Sequence, residues 1–185
     1  KKISGICLNK NVVVFGPGPI GLYTIQLLKE MGFANVIMVG TRESRLKIAR
    51  GLGATTINIK EENLINSIER ILGKHEVDVV IEATGSSDVF NYILKILGPH
   101  GQLVLAGIFH EPANIDLFPF VRNENRIESA FCYTWEVYQR ALEIVLNGKI
   151  KFDGIVTHVL PMSEADKGFD LYLRREAIKV ILQNE

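Results

Sequence analysis

The sequence predicts an α/β fold in which six parallel strands form a doubly wound sheet with helices on both faces. Short apolar runs rich in Val and Ile alternate along the chain with segments whose apolar residues recur at helical spacing. Residues 16–21 form a glycine-rich turn between the first apolar run and the first helical segment. Because strand–helix–strand crossovers are almost always right-handed, this alternation places helices on both faces of a parallel sheet.

Six apolar runs are predicted to be the strands, since strands buried on both faces have nearly continuous apolar sequences. They cover residues 12–15, 36–39, 55–59, 77–81, 103–106 and 126–133. Apolar residues at helical spacing predict helices between them. The first helix is expected to carry its apolar face on Ile20, Thr24, Leu27, Leu28 and Met31. The fourth is expected to carry it on Val89, Ile93, Ile96 and Leu97, and residues 112–119 are predicted to be a loop.

The chain is predicted to divide near residue 150, where the alternation of strands and helices stops. Residues 1–150 would form the sheet domain. Residues 151–185 contain two further apolar runs, at 155–160 and 178–182, and Ser163 with Asp166 resembles a capping box that opens a short helix. This second segment does not extend the sheet, so we expect it to pack on another part of a longer protein.

Composition and charge exclude several classes of protein. The 185 residues contain 21 Lys and Arg and 21 Asp and Glu, and this balance offers no electrostatic footprint for nucleic acid or anionic lipid. No apolar stretch approaches the ~18 residues of a membrane-spanning helix. Cys7 and Cys132 are too few for a disulfide framework, which favours reduced thiols in the cytoplasm. The chain opens with Lys1 and no signal-like segment, so a removed tag or a piece of a longer polypeptide is expected.

The turn at residues 16–21 matches the pattern G-x-G-x-x-G between a buried strand and a helix, the setting of a dinucleotide-binding site. Gly16 permits a tight turn, Gly18 lets a pyrophosphate approach the backbone, and Gly21 lets the helix pack closely on the strand. Pro19 suits the first helical position, and Ile20 follows it. The free N–H groups of this helix end would face the phosphates. The alternative is a glycine-rich turn that binds no ligand.

The end of the second strand predicts which dinucleotide is bound. NAD-binding domains place Asp or Glu about 20 residues after the glycines to bind the adenosine ribose, and here that position is Gly40. A glycine there would make room for a 2′-phosphate, with Thr41, Arg42 and Arg45 as hydrogen-bond donors. This favours NADP(H). The alternative is that Glu43 binds the ribose, which would permit NAD(H).

Two further segments are expected at the crevice, where the fourth and fifth strands end. Small residues there would let a flat nicotinamide ring lie near the backbone. The candidate residues are Ala83, Thr84, Gly85, Ala106, Gly107 and Ile108. The alternative is that both segments are simple strand-to-helix turns.

No group of residues in the sequence is predicted to perform chemistry unaided. His75, His100, His110 and His158 are scattered, and no His, Cys, Asp and Glu residues have metal-ligand spacing. Of these histidines His110 comes nearest the crevice, although a lone loop histidine is usually only solvated. We expect Cys132 to be a small buried residue in a strand. The aromatic residues at 135 and 138 are expected in packing or an interface.

The chain resembles the medium-chain dehydrogenase/reductase family, and most closely its zinc-dependent alcohol and polyol dehydrogenases. The matching runs are residues 11–21, 45–49, 52–54, 78–85, 101–107 and 147–150. Together they cover most of the chain in the family's order. The run at residues 40–42 looks like the version found in NADP-dependent members.

The resemblance implies a Rossmann domain that binds NADP(H) or NAD(H), with hydride transfer between nicotinamide and a small alcohol or carbonyl compound. It further implies that a GroES-like domain, absent from this sequence, holds the catalytic zinc and that residues 151–185 pack on it. None of the zinc ligands can be assigned to this sequence. Alone, the chain should bind a dinucleotide and turn nothing over. The family also implies a homo-oligomer through the sixth strand, at residues 128–133.

Three alternatives stay open at this point. One is a zinc-free quinone or enoyl reductase of the same superfamily. Another is a regulatory nucleotide-sensing domain, which does not account for the matches at residues 82–85 and 101–107. A methyltransferase would require an acid near Gly40.

Overall fold

The computed structural model describes residues 9–184, so Lys1 and Cys7 lie outside the described residues. The chain forms two compact units that divide between Lys149 and Ile150. The elements of the first unit are, in chain order, β1 (Asn11–Phe15), α1 (Pro19–Glu30), β2 (Asn35–Gly40), α2 (Glu43–Gly51), β3 (Thr55–Asn58), α3 (Leu64–Leu72), β4 (Val77–Glu82), α4 (Phe90–Ile96), β5 (Leu97–Leu105), α5 (Phe118–Arg122), β6 (Arg126–Ser129) and α6 (Trp135–Leu146).

The six strands of this unit form one parallel sheet in the order β3-β2-β1-β4-β5-β6. The predicted fold class is confirmed. The chain proceeds outward from β1 to β3 and then returns to place β4 on the other side of β1. Ligands of such sheets bind outside the carboxyl ends of the strands, at the point where the strand order reverses. That point lies between β1 and β4.

The core of the first unit sits around the central strand β1. Val12, Val13 and Val14 of β1 are fully buried. Residues from the helices pack on the sheet around them, among them Ile68 of α3 and Ile93 of α4, both also fully buried. This burial explains why the central strand has an uninterrupted apolar sequence.

The predicted apolar face of α1 was wrong. Ile20, Leu27 and Met31 are exposed, and among the five residues predicted only Leu28 is buried. The helix buries Gly21, Leu22, Ile25, Gln26 and Leu28. Because Gly21 must lie against the turn before the helix, that contact sets the rotation of α1, and Ile25 and Leu28, four and seven positions further along, follow it inward.

Two predicted boundaries were wrong beside prolines. Leu97 begins β5 and does not continue α4: Pro99 disfavours the helical conformation at Gly98, and the helix ends before this pair, with Leu97 already extended. Phe118 was predicted to lie in a loop but begins the short helix α5, with Pro119 in its first turn, where a missing N–H is tolerated. At their carboxyl ends, β3 and β5 each stop one residue earlier than predicted.

The sixth strand is shorter than predicted. It ends at Ser129, and the Ala130 N–H donates to the Leu105 carbonyl at 2.8 Å. Since β5 itself ends at Leu105, the residues that follow have no neighbouring strand to pair with. Cys132 was expected to be buried in this strand, but it is exposed and has a φ of 51°.

Helix α6 has an apolar face that remains exposed within the described part of the chain. None of its residues is buried. Trp135 stacks on Tyr138 with ring centroids 5.4 Å apart, and Tyr133 stacks on the same ring at 6.0 Å. Across residues 9–184, no helix is long and apolar enough to span a bilayer.

The second unit is a small parallel pair of strands with one helix. Its elements are β7 (Val156–Pro161), α7 (Ala165–Leu173) and β8 (Lys179–Gln183), and neither strand belongs to the six-stranded sheet. A 3-10 turn precedes α7, whose N-cap is Glu164, so the helix begins one residue later than the capping box at Ser163 predicts. A Cβ on Gly168 would lie 3.2 Å from Val180 Cγ1, which shows how closely α7 packs on β8.

Candidate dinucleotide-binding site

The glycine-rich turn joins β1 to α1 with very little space between them. Gly16 has a φ of 101°, a conformation that favours glycine, and its N–H donates to the Val39 carbonyl at 3.0 Å. A Cβ on Gly21 would collide with the carbonyl oxygen of Gly16. The first turn of α1 therefore lies directly against the end of β1, as the motif requires.

The amino end of α1 is open where a phosphate would sit. Gly18 is the N-cap of the helix, and no described atom lies within 4 Å of the position that a Cβ on it would take. Pro19 occupies the first helical position, Ile20 is 54% exposed, and the first turn of this described helix has no acidic residue. The backbone at Gly18 is thus open to a ligand, and the free N–H groups and positive dipole of a helix amino end favour a pyrophosphate there.

The position that a Cβ on Gly40 would take is crowded by neighbouring side chains. A Cβ on Gly40 would lie 2.7 Å from Pro17 Cγ and 3.1 Å from Leu46 Cδ2. The proline ring of the glycine-rich turn thus occupies the place where a side chain at this position would begin. A carboxylate side chain here would require the proline ring to shift, and the candidates to bind a 2′-phosphate are the residues that follow.

Those residues lie at the exposed start of α2. Thr41 is exposed, Arg42 is half-buried, and Arg45 is half-buried in the first turn. Arg42 is the N-cap of α2, and among residues 9–184 no hydrogen bond or ion pair is found for its guanidinium group. Glu43, the alternative ribose acceptor, forms an ion pair with Arg50.

The loop after β4 is tied back onto the end of that strand. The Ala83 N–H donates to the Phe15 carbonyl at 3.0 Å, which joins this loop to β1. Glu82 is fully buried, and its Oε1 atom accepts hydrogen bonds from the Thr84 N–H and hydroxyl, both at 2.5 Å, and from the Gly85 N–H at 3.0 Å. Gly85 has a φ of 70°.

The loop after β5 packs directly on the loop after β4. The N–H groups of Ala106 and Gly107 both donate to the Glu82 carbonyl, at 2.8 and 3.0 Å. A Cβ on Gly107 would collide with the Gly85 nitrogen and with Glu82 Oε2. Ile108 is 63% exposed, so its side chain is available to a ligand.

The structure brings most of the predicted site residues to one edge of the sheet. The carboxyl ends of β1, β2, β4 and β5 share this edge because the strands are parallel. His110 is exposed in the loop after β5, whereas His100 contacts Glu124 at 3.4 Å and His158 lies in the second unit. Within residues 9–184, no three His, Cys, Asp or Glu residues come together in a way that could hold a metal ion.

Two residues at this edge had no role in the sequence analysis. Pro17 occupies a variable position of the glycine motif, and nothing in the sequence indicates that it contacts Gly40. Glu82 does leave a signal, because it is a charged residue at the end of an apolar run that belongs to a fully buried central strand.

Comparison with known proteins identifies the family. Residues 19–147 match the sequence model of the zinc-binding dehydrogenases, and this match covers more than half of the chain. The chain belongs to the zinc-binding dehydrogenase family. The resemblance to medium-chain zinc-dependent alcohol and polyol dehydrogenases is therefore confirmed, and family members use NAD(P).

Relatives in the zinc-binding dehydrogenase family support this assignment. An uncharacterised zinc-type alcohol dehydrogenase-like protein of Escherichia coli is 30% identical over 94% of this chain and 49% of its own length. Sorbitol dehydrogenase 1 of Saccharomyces cerevisiae is 28% identical, with 98% and 53% covered. The crystal structure of an alcohol dehydrogenase from Thermotoga maritima superposes with a TM-score of 0.91 at 28% identity, covering 98% of this chain and 52% of that one. The chain thus spans about half the length of these relatives.

Proposed function

We propose that this chain is the coenzyme-binding portion of an alcohol or polyol dehydrogenase and that it prefers NADP(H) to NAD(H). The observation that carries the proposal is the open amino end of α1 behind a tightly packed glycine turn, in a chain of the zinc-binding dehydrogenase family. One relative is named for sorbitol, which favours a polyol as the substrate of the complete protein.

The preference for NADP(H) is supported by the end of β2. Position 40 is a glycine packed against Pro17, so the carboxylate that usually binds the ribose of NAD is missing. Arg42 has a guanidinium group with no partner among the described residues, and such a group binds phosphate strongly. Glu43, the alternative ribose acceptor, is already paired with Arg50.

The loops at the crevice would bind different parts of the coenzyme. The N–H groups of Gly18 and Ile20 would face the pyrophosphate, and Pro19 between them contributes no donor. Loops 83–85 and 106–108 would hold the nicotinamide ring. When bound, the nicotinamide would accept or supply the hydride, and a zinc ion in the absent GroES-like domain would polarise the substrate oxygen.

Two surfaces of the chain would be covered in the complete protein. We propose that residues 151–185 pack on the GroES-like domain. We also propose a homo-oligomer through β6, whose Ile127 is 47% exposed. The exposed thiol of Cys132 supports a reducing compartment such as the cytoplasm.

Parallel calorimetric titrations with NADPH and NADH test the proposal. We expect both to bind, with NADPH binding more tightly, and we expect the chain alone to oxidise no alcohol. Equal affinities would remove the argument for a 2′-phosphate site, and absence of binding by either dinucleotide would refute the proposed function. Metal analysis should find no stoichiometric zinc in this chain, and finding it would overturn the assignment of zinc to another domain.

A further inference from the structure

The buried glutamate at the end of β4 calls for a physical explanation. Glu82 is completely buried between β1 and β5, in the central part of the sheet. Burying a charged or polar side chain is costly unless hydrogen bonds replace its hydration. An apolar side chain of similar size could fill this space without that cost, so a role in stabilising the core does not account for the residue.

The two oxygens of Glu82 have very different surroundings. Oε1 accepts three hydrogen bonds, two from Thr84 and one from Gly85. The Thr84 hydroxyl in turn accepts from the Ser86 N–H at 3.0 Å, so one carboxyl oxygen organises the whole loop after β4. Oε2 is buried and has no hydrogen-bond partner among residues 9–184.

The unpartnered oxygen lies against the loop after β5. A Cβ on Gly107 would collide with this oxygen and with the Gly85 nitrogen, so the oxygen lies close to the Gly107 backbone. Phe109, two residues further on, packs on Phe90 with ring centroids 5.7 Å apart, which fixes the far side of this loop. The side chain of Glu82 thus lies between the two loops and limits how closely they approach each other.

We propose that Glu82 is a positioning residue for the nicotinamide half of the coenzyme. Its carboxyl group holds the loop of residues 83–85 in place and sets its separation from the loop of residues 106–108, and these two loops form the surface on which the ring lies. This inference rests on the proposed function, because it assumes that a dinucleotide binds in the crevice. It assigns no proton transfer or direct ligand contact to Glu82.

The experiment separates the two halves of the coenzyme. Affinities for NADPH and for 2′-phospho-ADP-ribose, which lacks nicotinamide, are measured for the wild type and for Glu82→Ala and Glu82→Gln. The fluorescence spectrum of bound NADPH reports the surroundings of the ring. Asp78→Ala is the matched control, because Asp78 lies at the other end of β4 and its carboxylate also accepts a backbone N–H, from Asn11 at 2.7 Å.

We expect Glu82→Ala to weaken NADPH binding by about tenfold or more, which corresponds to about 1.4 kcal/mol, and to change the affinity for 2′-phospho-ADP-ribose by less than about twofold. The fluorescence of bound NADPH should move toward that of the free coenzyme. Glu82→Gln should restore most of the loss, since its amide oxygen can accept the same three bonds. Asp78→Ala should lower stability without changing the ratio of the two affinities.

Several outcomes would overturn the inference. The role of Glu82 would be refuted if Glu82→Ala lowered the affinity for both ligands equally or for neither. It would also be refuted if the wild-type protein bound both ligands with equal affinity. None of these results would refute the proposed function. A wild-type protein that binds neither ligand would refute both. If Glu82→Ala does not fold, Thr84→Val decides the matter, because it removes one bond to Oε1: selective weakening of NADPH supports the inference, and no selective change refutes it.

Discussion

The two ends of the crevice are built in different ways. At the end proposed to hold the pyrophosphate and the nicotinamide, the loops after β1, β4 and β5 are packed backbone against backbone, and Gly16, Gly85 and Gly107 leave no space for a side chain. At the proposed adenine end, Thr41 and Arg42 lie at the start of α2. Thr41 is exposed, and the Arg42 guanidinium has no hydrogen bond or ion pair among the described residues. One end is defined by sterically constrained backbone and the other by side chains.

Because of this difference, one end of the crevice should fix the position of the coenzyme and the other should select which coenzyme is bound. A tightly packed backbone fixes the position of a bound group at little entropic cost. A substitution there cannot change which group is bound without also disturbing the fold. Side chains on an exposed helix start can be replaced with little effect on the fold. Substitutions at the packed end should therefore lower the stability of the fold, whereas substitutions at the open end should alter which coenzyme is bound.

The largest effect is expected at Gly21. We predict that Gly21→Ala destabilises the protein by more than about 3 kcal/mol, because its Cβ would collide with the Gly16 carbonyl and force α1 away from β1. Urea unfolding followed by circular dichroism measures the change. Gly51→Ala is the matched control: this helical glycine has nothing within 4 Å of its Cβ position, so the substitution should stabilise the protein by about 0.5–1 kcal/mol. Equal effects of both substitutions would contradict the close packing at Gly21.

At the open end, Arg42→Ala should weaken NADPH binding by about 1.5–3 kcal/mol, the value of a hydrogen bond to a charged group, with little effect on NADH. Calorimetric titration of both coenzymes measures this. Lys47→Ala serves as the control, since it removes an exposed positive charge from the same helix without releasing Glu43 from Arg50. A similar loss for NADPH and NADH in Arg42→Ala would show that Arg42 does not bind the 2′-phosphate.

A smaller effect is expected where the two ends meet, at the contact of Pro17 with Gly40. Gly40→Asp alone should destabilise the protein by about 1–2 kcal/mol, because the new side chain overlaps the proline ring. Combined with Pro17→Ala, the aspartate should be accommodated, and the preference should shift toward NADH. Unfolding curves and paired titrations of the single and double variants provide the measurement. If the double variant is no more stable than Gly40→Asp alone, Pro17 is not what excludes an acid from this position.

The smallest effect lies outside both ends, at Glu62 before α3. A hydrogen bond from the Ser67 hydroxyl, and further bonds from the Asn58 N–H and Arg70, lower the pKa of Glu62 below its ordinary value of 4.5. The resulting stabilisation is present above pH 4.5 and is lost as the pH falls through the lowered pKa. Glu62→Gln should therefore be less stable than the wild type at pH 7, and this difference should shrink below pH 4. Urea midpoints at both pH values test it, and coenzyme affinity at pH 7 should not change.

The sheet could be predicted from the sequence because strands buried on both faces have a distinctive composition. The runs around Val13 and Val80 are nearly all apolar, and the glycine motif fixes which of them is the first strand. The rotation of α1 could not be predicted, because Ile20, Leu27 and Met31 are as apolar as the residues that are buried. What decides it is one backbone contact of Gly21, which periodicity does not record.

The candidate site was predictable only where a short motif defines it. The positions of Gly16, Gly18 and Gly21 follow from their spacing. The contact of Pro17 with Gly40 joins residues 23 positions apart, so it is visible only in three dimensions. A role for Glu82 could have been predicted from the sequence, because a carboxylate at the end of a buried strand is unusual.

Nuclear magnetic resonance of the isotopically labelled chain tests most directly whether one dinucleotide spans both ends of the crevice. On addition of NADPH, we expect the backbone amide signals of Gly18, Thr41, Arg42, Gly85 and Gly107 to shift. Addition of 2′-phospho-ADP-ribose should shift the first three and leave Gly85 and Gly107 unchanged. Shifts confined to other parts of the chain, or the same shifts at Gly85 and Gly107 with both ligands, would contradict this expectation.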